Sequence, residues 1–160
     1  MCWRRGRWLV VIAALVLVTG CGATIPRDPD GTLDDVRRSG VLRAGASPAV
    51  GWVELGDGRP AGLEPDLVES YADDLGVRVE WVVAGEEHLV TMLEDGSIDV
   101  AVGGFTKDNA WVKKVALLRP YVETKAGERT EAHVMMVPMG ENAWQSALER
   151  WLDRQEVVAP

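Results

Sequence analysis

The residues best able to do covalent chemistry are few in this chain, and they are badly placed for it. Cysteine occurs only at Cys2 and Cys21, so the body has neither a disulfide framework nor a cysteine-based zinc site. The two histidines, His88 and His133, are far apart in sequence with no ligand spacing around them, and they read as plain surface or edge residues. Paired carboxylates such as Asp73-Asp74 fall on the polar side of a predicted helix, where water solvates them. No nucleophile–base pair stands out, so the sequence predicts no catalytic residue, no metal and no cofactor. What remains is the chemistry of holding something. Ser47 and Thr106 carry hydroxyls that both donate and accept, and Trp52, Phe105 and Trp111 carry aromatic faces. That set suits capture of a small polar solute or docking of a partner. Each aromatic also has a packing reading. Trp52 can cap the edge of a core, Phe105 follows an apolar strand, and Trp111 stands at helical spacing with Val112 and Val115.

These residues need a scaffold, and the chain predicts one. Val41–Ala46 is a short β-type run closed by Ser47-Pro48, and Gly56 to Pro60 marks a turn. A helix opens at Pro65, buries Leu67, Val68, Tyr71 and Leu75, and ends at Gly76. Residues 77–83 alternate as a strand, 87–95 form a short helix stopped by Gly96, and Ile98–Val102 is a strand followed by Gly103-Gly104. Asp108 can cap a helical turn carrying Trp111. Residues 116–118 run extended, 123–131 read as a polar loop, and 133–139 form another apolar run. Asn142 then caps a helix with Gln145 three positions on, its apolar stripe being Trp144, Leu148, Trp151 and Leu152. Such alternation predicts an α/β fold, a mostly parallel sheet with helices on both faces. Ligands of such sheets sit beyond the carboxyl ends of the strands, which is where Ser47, Trp52 and Gly104-Phe105-Thr106 fall, with Trp111 close by.

The first 21 residues read as an address. Residues 1–7 (MCWRRGR) are positive, Trp8 to Val18 is uncharged and apolar, and Val18-Thr19-Gly20-Cys21 resembles a bacterial lipobox. That resemblance implies cleavage before Cys21 and diacylglycerol on its thiol, placing the mature protein outside the cytoplasmic membrane and anchored to it. The apolar run is too short for a transmembrane helix. Residues 21–32, with two prolines and two glycines after Cys21, read as a tether. The formal charge is −8, and loss of Arg4, Arg5 and Arg7 with the leader takes it to −11. So acidic a chain excludes nucleic acid as a partner.

From Leu33 onward the chain resembles the family 3 extracellular solute-binding proteins, the amino-acid-type receptors of ABC transporters. Five segments carry the resemblance: Leu33 to Val36 through Ser39 to Arg43, Gly62-Leu63-Glu64-Pro65-Asp66-Leu67, Leu93 to Val100, Gly103-Gly104-Phe105-Thr106, and Pro120-Tyr121. It implies a periplasmic-binding-protein type II fold and places Trp52 where the family has an aromatic that stacks on ligand. Family members have two lobes, the second inserted after the Pro-Tyr motif. Here only residues 122–131 intervene before a returning segment, 132–156. The resemblance therefore implies a single lobe over 33–156, its first segment being 33–121. It also implies an arginine clamp for the ligand carboxylate, and that position holds Trp111.

Three functions follow as expectations. The first is a lipid-anchored solute-binding module serving an ABC transporter membrane subunit, with weak or altered ligand specificity. The second is an accessory lipoprotein whose former ligand face docks a membrane transporter or sensor. The third, an enzyme, lacks a visible site.

Overall fold

The computed structural model describes residues 28–160, so the predicted leader and Cys21 lie outside the described residues. The elements run α1 (Thr32–Ser39), β1 (Val41–Ala46), β2 (Glu54–Gly56), β3 (Arg59–Ala61), α2 (Leu63–Leu75), β4 (Arg78–Val83), α3 (Glu86–Glu94), β5 (Val100–Val102), β6 (Ala116–Leu117), β7 (Val122–Ala126), β8 (Arg129–His133), β9 (Met136–Val137) and α4 (Asn142–Leu152). Five strands form the main sheet in the order β4-β1-β5-β9-β6. β4, β1 and β5 are mutually parallel, while β9 pairs antiparallel to both β5 and β6. The sheet is therefore mixed, and the parallel part is the half assembled from β-α-β units.

β1 lies inside the sheet, and its burial follows from that position. Leu42, Ala44 and Ala46 are fully buried, as are Val100 and Val102 of β5. Gly45 lets the two layers close, since a Cβ there would lie 2.6 Å from Leu89 and 2.7 Å from Ile98. One core packs α2 and α4 on β1 through Val68, Tyr71, Trp144, Leu148, Trp151 and Leu152. The predicted stripe of α4 is thus the buried face. The other core packs Leu89, Val90 and Leu93 of α3 with Phe105, Val115 and Val134.

Four local expectations are corrected. Residues 123–131 are not a loop: β7 and β8 form an antiparallel hairpin closed by Gly127-Glu128, with Val122 opposite His133 and Ala126 opposite Arg129. The apolar run 133–139 is split between the end of β8 and β9. Residues 107–115 make turns rather than a helix, and Asn109, not Asp108, receives the Trp111 amide on its Oδ1 at 2.9 Å. At α4, Glu141 rather than Asn142 holds the cap position, and the Gln145 side chain donates to the Leu117 carbonyl and to Glu149.

The two ends of the sheet are closed differently. At the amino end, Asp99 is buried and accepts hydrogen bonds from the Arg43 amide (2.8 Å) and guanidinium, while the Trp144 indole N–H donates to the Asp99 carbonyl at 2.7 Å. The end of the predicted tether docks at that same end. Glu141 accepts from the amides of Asp30 (2.9 Å) and Thr32 (2.8 Å), and Asp28 accepts from the Ala143 amide.

Candidate functional site

The carboxyl ends of β1 and β5 deliver the residues that matter to one edge. Ser47 leaves β1 with its amide bonded to the Val102 carbonyl at 2.9 Å. Gly103 follows β5 so closely that an added Cβ would sit 2.9 Å from the Ser47 Cβ and 2.7 Å from the Phe105 ring. Gly104 has φ +64°, a left-handed conformation that suits glycine, and the Trp52 ring lies 3.0 Å from where a Cβ would be. Gly103 thus lies against Ser47, and Gly104 against Trp52 and Ala49.

Trp52 does not face an empty space on all sides. Its ring stacks on His133 with centroids 3.8 Å apart and planes 23° apart, and it meets Tyr121 edge-on at 6.4 Å. His133 is only 3% exposed, which corrects its reading as a surface or edge residue. Its Nε2 shares a hydrogen bond with the Thr124 hydroxyl at 2.9 Å, and its Nδ1 has no bonded partner. Burial lowers its pKa below the ordinary 6.5, opposed by the nearby Gly104 backbone and the Glu131 charge.

Beneath this edge lies a residue to which the sequence alone assigns no role. Glu64, in the first turn of α2, is fully buried. Its Oε2 accepts from the amides of Gly103 and Gly104, both at 2.8 Å, and its Oε1 accepts from the Tyr121 hydroxyl. One carboxylate therefore ties α2, the loop after β5 and the start of the hairpin. Burial raises its pKa above 4.5, and the three donors oppose the shift. Tyr121 is pushed well above its ordinary 10.0, by burial first and then by the Glu64 charge beside it. The signal for Glu64 was its place directly before Pro65, within the quoted glycine-to-aspartate segment.

The other predicted residues separate. Thr106 bridges to His133 through the backbone, and its carbonyl accepts from Asn109. Phe105 is 5% exposed and its ring belongs to the α3 core, so what it turns toward the edge is backbone. Trp111 packs against that same α3 core, with the Lys114 ammonium 5.9 Å from its ring, apart from the Trp52 group. Among the described residues no cluster of three or more His, Cys, Asp or Glu side chains could hold a metal. Among them, too, no helix is long and apolar enough to cross a membrane. The edge can therefore offer the Ser47 and Thr106 hydroxyls and the Trp52 ring, while the Gly103 and Gly104 amides are held by Glu64.

The hairpin stands on this edge as well. The Val134 amide donates to the Phe105 carbonyl, the Lys107 amide to the Ala132 carbonyl, and the Tyr121 amide to the His133 carbonyl. Segments 105–107 and 121–134 are thereby laced together where the two strands of the hairpin leave the body.

Residues 42–156 match the profile of the bacterial extracellular solute-binding proteins, family 3. Among curated proteins, membrane-bound lytic murein transglycosylase F from Vibrio vulnificus is 31% identical over 108 residues, 67% of this chain and 20% of that protein. The protein of the same name from Maricaulis maris is 37% identical over 109 residues, 65% of this chain and 24% of that protein. The chain thus spans about a fifth of the length of these relatives. Among solved structures, the arginine-bound form of domain 1 from TmArgBP aligns with a TM-score of 0.69 at 24% identity, covering 76% of this chain and 98% of that one. An ancestral amino acid-binding protein, described as a precursor of cyclohexadienyl dehydratase, aligns with a TM-score of 0.70 at 15% identity, covering 77% and 92%. These likenesses show the fold, a domain of the periplasmic binding proteins.

Proposed function

The chain belongs to the bacterial extracellular solute-binding proteins, family 3, and from that premise we propose that it is a lipid-anchored, single-lobe module that holds a small polar solute. The lipid sits on Cys21. The solute rests on the carboxyl edge against Ser47, Trp52, Thr106 and the backbone of Gly104 and Phe105, with Trp111 on the flank. One observation carries this reading: at the carboxyl ends of β1 and β5 the adjacent glycines Gly103 and Gly104 lie against Ser47 and Trp52 respectively, so both side chains reach one edge. The arginine-bound form of domain 1 from TmArgBP supports the idea that one lobe can receive a ligand. Trp111 at the position where an arginine is expected favours a solute recognised by hydroxyl and aromatic contacts over one gripped by its carboxylate. An open edge buries less of a ligand than a two-lobed cleft, so binding is weak unless another surface closes over it.

A second reading is favoured by the Trp52–His133 stack. An aromatic already satisfied within the chain suits a docking face for an ABC transporter membrane subunit or another membrane protein. Murein cleavage is not extended to this chain, because the shared segment is about a fifth of the proteins that carry that name.

The test is a thermal-shift screen of the purified protein against amino acids, polyamines, sugars and inorganic ions. A solute at about 100 times its Kd stabilises by about 2.7 kcal/mol, several degrees for a domain of this size. Trp52→Ala should abolish the gain. A flat panel on the folded protein, with a membrane partner that co-purifies and is lost on Trp52→Ala, replaces solute capture by docking. Cys21→Ser should release the protein from membranes, and retention of that variant sinks the lipid assignment.

A further inference from the structure

The docked end of the tether has a consequence for how the module stands on its membrane. Asp28, Asp30 and Thr32 are bonded to Ala143 and Glu141, at the start of α4. α4 follows β9, which runs antiparallel to β5, so its start lies at the amino end of the parallel strands. The surroundings agree: a cavity of about 470 Å³ is lined together by Asp30, Thr32, Arg43, Gly96, Asp99 and Pro138, all at that end. Ser47, Trp52, Gly104 and Thr106 lie at the opposite, carboxyl end. The strap and the candidate solute edge are therefore on opposite poles of the sheet. Glu141 is buried and receives both strap amides, so the strap is part of the body.

Seven peptide units separate Cys21 from Asp28. Fully extended, seven residues reach about 25 Å. A compact body of this size has a radius of gyration of about 14 Å, hence a diameter of about 36 Å. To lay the carboxyl edge on the bilayer, Asp28 would have to stand a full body diameter above the lipid. The reach falls short by about 10 Å whatever path those residues take.

Resting on the proposed lipid at Cys21, we infer that the strap orients the module: its amino pole faces the bilayer, and its solute edge is turned away from or along it. The solute is taken from above or beside the module, not from between it and the bilayer. A partner confined to the same bilayer meets the amino pole or the flank of the module, and one that docks on the Trp52 edge must rise out of the membrane to reach it. Peeling the strap would change this, because each residue freed from Glu141 and Ala143 lengthens the reach by about 3.5 Å.

Two single-cysteine variants of the full-length lipoprotein test the orientation. Ser97→Cys places a fluorescent donor at the amino pole, and Val50→Cys places it on the loop after β1, where Val50 is 98% exposed. Each is reconstituted in phosphatidylcholine vesicles carrying a headgroup acceptor dye, with lipid on Cys21 checked by mass spectrometry. Energy transfer should be stronger from position 97 than from position 50. Inserting a 15-residue Gly-Ser segment between Ala23 and Thr24 should erase the difference. Equal or reversed transfer from a lipidated protein overturns the orientation and leaves the anchor standing. An unmodified Cys21 overturns both.

Discussion

Two buried carboxylates, one at each pole of the sheet, are satisfied in opposite ways. Asp99 at the amino pole faces a cation: Arg43 gives it a backbone amide and a forked guanidinium, and the bond to Asp99 raises the Arg43 pKa in turn. Glu64 at the carboxyl pole is as fully buried and is met by neutral donors, two glycine amides and a phenol. The first arrangement closes a seam between strand starts and is shared with Trp144 and the strap. The second shapes a loop, since Gly103 and Gly104 take their course from the carboxylate beneath them. An ion pair suits a pole whose work is to hold. A ring of neutral hydrogen bonds instead fixes the course of the loop that lies against Ser47 and Trp52.

The largest expected effect is at the holding pole. Trp144→Ala removes a fully buried indole and its bond to the Asp99 carbonyl, and should cost about 3–5 kcal/mol in urea denaturation. Asp99→Asn should cost about 1–2 kcal/mol, the Arg43 side chain being 44% exposed and in part compensated by water. At the presenting pole, Trp52→Ala should cost about 1 kcal/mol, the worth of its stack. It should also let the His133 pKa climb back toward 6.5, which an NMR titration reads. Smallest is Glu64→Gln, within about 0.5 kcal/mol of the parent at neutral pH, because an amide oxygen still accepts from Gly103 and Gly104 while its NH₂ turns to the Tyr121 oxygen. A larger cost for Glu64→Gln than for Asp99→Asn would erase the contrast.

The same contrast has a pH signature. Glu64 has a folded pKa above its unfolded value, so between 4.5 and that raised pKa the folded chain binds more protons than the unfolded one. Its contribution to stability is therefore fully present below pH 4.5 and is lost as pH rises through the folded pKa. In Glu64→Gln that downward slope should disappear from the stability–pH profile. An unchanged slope would assign it to other groups.

How far the sequence could be read depended on the range of the interaction. The buried stripe of α4, the strand at 41–46 and the glycines after β5 were legible, because periodicity and backbone preference act between neighbours in the chain. The hairpin was not. Residues 123–131 are polar on both faces, and the cues were the Gly127-Glu128 turn and the pairing of Val122 with His133 across it. Chain order brings Trp52 to the loop beyond β1, but its stacking partner His133 stands 81 positions later and reads in isolation as a surface or edge residue. Phe105 was named both as a contact and as core, and its burial assigns the ring to the core.

By itself, the sequence determined the family, the α/β alternation and the edge on which Ser47, Trp52 and Thr106 would fall, since these follow from local pattern and chain order. Only the tertiary structure decided that Glu64 is buried beneath Gly103 and Gly104, that Trp52 lies on His133, and that the strap and the Trp52 edge occupy opposite poles. Burial, stacking and polarity across the sheet depend on which distant segments pack together, and no window along the chain contains both members of such a pair.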